Sequence, residues 1–194
     1  MPFVKQYPAS PPVDYPVDLQ QELCLPSGEV LWVRPVVPAD AETLAAEFAA
    51  IDEDTLYARF FTASFDLTGD RLRYLTVLDY RAHLALAVMT AGGDKSTGVA
   101  IGRYVARTPS DVEGAIVVKP EYRRLGIARV LLEHLMAAAA GAGYTTMSAA
   151  YLADNAAAAS LLDSLGFIGG TLEGGVVVDA WRRLASDPAA IGSV

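Results

Sequence analysis

The chain has 194 residues, 53% of them hydrophobic and 20% charged, and a formal net charge of −8. That is enough for one domain of ordinary size with its own core, and too apolar for a disordered chain. The acidic balance argues against nucleic acid and anionic membranes, which ask for a basic face, and suits a cationic partner such as a lysine side chain or a polyamine. No apolar run reaches the roughly 18 residues of a bilayer span. Leu131–Gly143 comes nearest, and Glu133 and His134 interrupt it. The N-terminus lacks the apolar stretch of a secretory signal. Cys24 is the sole cysteine, which excludes an internal disulfide and a cysteine-based zinc site. A cytoplasmic location is the expectation.

In chain order, residues 1–17 are rich in proline and read as an extended arm; residues 18–185 read as a single domain and 186–194 as a tail. Leu19–Leu25 and Val30–Val37 flank Pro26-Ser27-Gly28-Glu29, a hairpin pattern. Pro38-Ala39-Asp40 opens a helix with Leu44, Phe48 and Ile51 on one face. Further helices are predicted over Glu53–Phe61 and Asp70–Leu78. Three strands follow, His83–Thr90, Thr97–Ala106 and Glu113–Val118, the first two joined by the turn Ala91–Lys95. Pro120 cannot donate to a ladder and ends the third. Ala128, Leu131, Leu132, Leu135 and Ala139 recur at helical spacing, and Gly141 and Gly143 close that helix. Thr145–Leu152 reads as a buried strand. Asp154 or Asn155 caps a helix whose apolar face is Ala158, Leu161, Leu162 and Leu165, with Gly166 after its end. Thr171–Leu172 and Val176–Trp181 form a last hairpin around Gly174-Gly175. The order predicts an α/β fold with one mixed central sheet flanked by helices on both faces.

The chemistry concentrates between Ala115 and Leu132. A buried strand runs through a short loop holding Arg123, Arg124 and Gly126 into a long amphipathic helix. Free backbone N–H groups gather at such a start, and the helix dipole adds partial positive charge. Gly126 and the small Ala128 let a ligand come close, and Arg123, Arg124 and Arg129 add charge. The residues alone thus favour a phosphate or pyrophosphate here, set against a merely solvated arginine-rich helix start.

Arg123-x-x-Gly126-x-Ala128 resembles the Arg/Gln-x-x-Gly-x-Gly/Ala signature of the GNAT superfamily of N-acetyltransferases. The run from Asn155 to Gly166-Phe167 resembles that family's second signature. Thr55-Leu56-Tyr57-Ala58-Arg59-Phe60-Phe61 and Asp79-Tyr80 resemble segments of the GNAT domains of bacterial protein lysine acetyltransferases. The resemblance implies a GNAT-like fold and acetyl-CoA as co-substrate, with no metal. It lays the pantetheine arm along Ile116, Val117 and Val118. It sets the pyrophosphate beside Arg123, on the amides of Arg124, Leu125, Gly126, Ile127, Ala128 and Arg129, and brings Asn155 to the cofactor. Glu113 becomes the general base that an amine with a pKa near 10.4 requires. Leu162 stands where many members carry the tyrosine that protonates the leaving thiolate, which leaves water, Ser160 or Tyr151 for that step. The acceptor is an amine, with a protein lysine favoured over a polyamine or aminoglycoside. A catalytically silent acyl-CoA-binding regulatory module is the reading from another class. A homodimer whose face helps form the acceptor site is a further option.

Other residues carry less. His83 and His134 stand apart and have no partner ligands at metal spacing. Tyr57, Arg59 and Phe60 either line the acceptor site or pack a helix. Trp32 and Trp181 read as core or interface.

Overall fold

The computed structural model describes residues 11–50, 67–90, 97–171 and 176–184. Within them the β-prone runs form strands β1 (Gln21–Cys24), β2 (Val30–Pro35), β3 (His83–Thr90), β4 (Gly98–Ala106), β5 (Asp111–Val118), β6 (Thr146–Leu152), β7 (Ile168–Thr171) and β8 (Val177–Arg183). They make one sheet in the order β1-β2-β3-β4-β5-β6-β8-β7. Every pairing is antiparallel except β5 with β6. The helices are α1 (Ala41–Ala49), α2 (Gly69–Thr76), α3 (Ile127–Gly141) and α4 (Ala156–Ser164). A parallel pair needs a crossover connection, and α3 supplies it between β5 and β6.

Strand alternation sends two cores to the two faces of the sheet. Leu84, Leu86 and Val88 of β3 join Leu131 and Leu135 of α3 in the larger cluster, to which α4 adds Leu162. Ala85, Ala87 and Met89 point the other way and pack with Val36 and Ile101. α1 and α2 lie on that second side, where α1 meets β4. Gly102 shows how closely α3 approaches: a Cβ there would lie 3.0 Å from Leu135 Cδ1. Glu47 of α1 ties its helix to the sheet. It accepts from the Gly98 amide (3.2 Å) and meets Lys119 Nζ at 2.5 Å, just beyond β5.

Several boundaries differ from the sequence reading for identifiable reasons. Asp111 and Val112 extend β5 because the parallel partner β6 pairs with them. Gly141 stays helical, and Gly143, at φ +95°, makes the left-handed exit from α3. The arm is not extended throughout: Tyr15 is buried, its hydroxyl donates to Pro35 O (3.3 Å), and its ring meets Tyr80 edge-on at 5.8 Å. Val17–Leu19, expected to pass from arm to strand, forms a 3-10 turn. The predicted last hairpin begins earlier, at Ile168, because Gly166 (φ +74°) reverses the chain directly after α4. The predicted helix Glu53–Phe61 with Tyr57, Arg59 and Phe60, together with Ile51, lies outside the described residues. So do the turns at Ala91–Lys95 and Gly174-Gly175, and the tail 186–194. Among the described residues no helix is long and apolar enough to cross a membrane.

Candidate functional site

The sheet opens in its middle. β5 and β6 pair over three residues, ending at Glu113 opposite Ser148. Beyond that point β5 continues with β4 alone and β6 with β8 alone. The direction of the free groups on β5 follows from register. Lys119 N–H bonds Val99 O (3.0 Å), so the pairs Ile101–Val117 and Arg103–Ala115 are the hydrogen-bonded ones, by antiparallel alternation. The backbone N–H and C=O of Ile116 and Val118 therefore face the gap, while those of Val117 turn to β4. Val117 thus separates from its two neighbours: its side chain lies on the α1 side, and its amide is taken by the sheet. An edge that lacks a strand partner beside an open gap suits an extended, amide-bearing ligand, which can lie there as a surrogate strand.

At the end of β5 the chain makes a 3-10 turn, Pro120–Tyr122, and then adopts left-handed conformations at Arg124 (φ +65°) and Gly126 (φ +86°). Positive φ at an arginine costs on the order of 1 kcal/mol, a cost that concentrates at functional loops. Left-handed residues interleaved with ordinary ones turn successive N–H groups into one concavity, an anion nest. No side chain caps α3, and its first backbone bond runs from Val130 N–H to Gly126 O at 3.1 Å. Among the described residues the amides of Arg124, Leu125, Gly126, Ile127, Ala128 and Arg129 meet no protein acceptor. Ile127 is buried and anchors the helix start, while Arg124 and Leu125 face solvent.

The arginines divide. Arg123 folds back, its Nε donating to Val118 O at 3.2 Å, and so ties the loop to the strand end. Arg124 points outward. Arg129 keeps its amide in the nest, but its guanidinium turns away to Glu133 (3.1 Å) and Ser164 Oγ (2.6 Å). The charge that the sequence assigned to Arg129 is therefore largely compensated. Asn155 caps α4, its Oδ1 accepting from Ala158 N–H at 3.0 Å, which leaves the side-chain amide to donate elsewhere.

At the closed end of the gap stand Glu113 and Ser148. Glu113 is half-exposed on the sheet face opposite α3, and its Oε2 lies 3.3 Å from Arg107 Nε. Ser148 Oγ donates to Val112 O at 3.4 Å. Ser148 went unnoticed in the sequence, since only its register against Glu113 distinguishes it. Leu162 is a buried core residue, so the family tyrosine position is filled by packing. Tyr151 reaches away from the gap: its hydroxyl lies 3.7 Å from where a Cβ on Gly169 would sit. Farther along the same face, His83 Nε2 and Arg103 Nη1 are 3.1 Å apart. Burial, with the adjacent Arg103 charge, pulls the imidazole down to about 4, so it is neutral at pH 7 and accepts from the guanidinium.

Known proteins share this fold. The family model described as the Acetyltransferase (GNAT) family matches residues 48–167. Acetyltransferase Pat of Mycolicibacterium smegmatis is 31% identical over 144 residues, 73% of this chain but 42% of that protein, so the chain spans under half of that relative. The GNAT domain of S. lividans PAT superposes with a TM-score of 0.78 over 88% of this chain and 99% of that domain, at 24% identity. The yncA protein of Salmonella typhimurium, solved with its cofactor acetyl-CoA, has the same fold at a TM-score of 0.63, covering 82% of this chain and 96% of that one at 21% identity. The chain therefore belongs to the Acetyltransferase (GNAT) family.

Proposed function

We propose that the chain transfers the acetyl group of acetyl-CoA to a lysine side chain of another protein, by direct attack within a ternary complex. The observation that carries this reading is the pairing of an open amide nest at Arg124–Arg129 with the β5 edge where Ile116 and the Val118 N–H have no strand partner, both leading down to Glu113. The nest would take the pyrophosphate, and the edge would take the pantetheine amides. Acetyl-CoA supplies the acetyl group as a thioester.

The chain's own groups do the rest. The Glu113 carboxylate accepts the proton of the incoming amine. The N–H groups facing the gap polarise the carbonyl as the C–N bond forms and the C–S bond breaks. Water protonates the departing sulfur, since Leu162 and Tyr151 do not serve that task and the Ser148 hydroxyl donates to Val112 O. The likeness to Acetyltransferase Pat and to the GNAT domain of PAT supports a protein acceptor. Glu113→Gln should lower the rate on the order of 10²–10⁴-fold and leave coenzyme A affinity unchanged. An unaltered rate across pH 6–9 would remove Glu113 from the mechanism. Tight coenzyme A binding without turnover on any amine would make the chain a binding module instead.

A further inference from the structure

One cross-strand row runs from β3 to β7 on the face opposite α3. Register places His83 beside Val105, Val105 beside Glu113, Glu113 beside Ser148, Ser148 beside Trp181, and Trp181 beside Ile168. Directly paired residues project to the same side of a sheet, so all six side chains share one face. The inner end of the row is covered: His83 is buried, and its ring packs on Tyr74 of α2 at 4.8 Å. The outer end is open. Trp181 is 44% exposed and Ile168 61% exposed, two large apolar side chains side by side in water. Asp179 and Arg183, both exposed, flank Trp181 on the same face.

We infer that Trp181 and Ile168 form the docking platform for the acceptor, and that the acceptor is an extended lysine-bearing segment of another protein. This rests on the proposed role of Glu113. Reach decides it. Neighbouring strands lie roughly 4.8 Å apart, which puts Trp181 roughly 10 Å and Ile168 roughly 14 Å from Glu113. An extended lysine spans about 6 Å from Cα to Nζ. A lysine amine at Glu113 therefore leaves its main chain over β6 and β8, against the Trp181 ring. A segment added to the outer edge of β7 would lie roughly 19 Å from Glu113, beyond that reach, so it crosses the face instead. A small free amine at Glu113 would not touch the platform at all. The flanking pair Asp179 and Arg183 gives charged neighbours of the lysine partners of either sign, while Trp181 supplies contact area at low entropy cost.

The test uses the full chain and two acceptors: nonapeptides with one central lysine, and Nα-acetyl-lysine amide as the small amine. Trp181→Ala should raise KM for the peptides about tenfold or more, with kcat, the small-amine KM and coenzyme A affinity unchanged. Trp181→Phe should restore most of the peptide KM. An unchanged peptide KM, or equal loss on both acceptors, would overturn the inference. So would conversion of a dimer to a monomer by Trp181→Ala in sedimentation, which would assign the platform to a second copy of the chain. Intact activity in Glu113→Gln would instead overturn the reading beneath it.

Discussion

Alanine at Gly126 separates the strain of the loop from its use. Gly126 sits at φ +86°, and a Cβ added there meets nothing within 4 Å. Gly143, at the opposite end of the same helix, has φ +95° and equally open surroundings. A left-handed alanine costs roughly 1–2 kcal/mol at either position. For a chain of this size each kcal/mol lowers Tm by roughly 2–4 °C, so both variants should melt roughly 2–8 °C below wild type. Only at Gly126 does the new methyl stand among the open amides of Arg124–Arg129. Losing one charge-assisted hydrogen bond to a phosphate costs roughly 1.5–3 kcal/mol, or about 10–150-fold in affinity. Isothermal titration with coenzyme A, alongside thermal melts, should therefore find matched melting losses and an affinity loss confined to Gly126→Ala. Equal affinity losses in both variants, or none in either, would refute the assignment of the nest to the pyrophosphate.

Two further predictions concern the scaffold. Gly102→Ala puts a methyl 3.0 Å from Leu135 Cδ1 and 3.4 Å from Leu131 Cβ and Ile116 Cγ1, which should lift α3 and cost roughly 1–3 kcal/mol in urea unfolding; a neutral result would show that α3 has room to spare. His83, held down at about 4 against an ordinary 6.5, binds fewer protons folded than unfolded. The stability it confers is present above about pH 6.5 and lost as pH falls towards 4, by at most about 3 kcal/mol. The urea midpoint should decline across that window and the imidazole should titrate near its lower end by NMR; a midpoint near 6.5 would contradict the burial argument.

The elements were readable because their signals are local. The apolar run of β3 needed no knowledge of its partners, and its predicted limits His83–Thr90 are the observed ones. The repeat from Ala128 to Ala139 marked α3 in the same way, and Asn155 did cap α4. The loop between β5 and α3 was also legible, since Pro120 and Gly126 mark where the strand ends and the helix begins. Its shape was not. Positive φ at Arg124 is set by how the 3-10 turn Pro120–Tyr122 delivers the chain to α3. The gap beside β5 is likewise a property of register. Nothing in Ile116-Val117-Val118 says that β6 leaves after Glu113, or that the middle residue turns its amide the other way. Ser148 and Trp181 became visible for the same reason, as each matters through a neighbour on another strand. Arg129 illustrates the converse: its type suggested cofactor charge, and only packing against α4 shows the guanidinium spent on Glu133 and Ser164.

The most direct test is a coenzyme A titration of the isotopically labelled chain, followed through its backbone amides by NMR. Arg124–Arg129, with Ile116 and Val118, should shift most, while the amide of Val117, bonded within the sheet, should move little. Saturable binding that leaves those amides unmoved and perturbs another surface would contradict that placement of the cofactor.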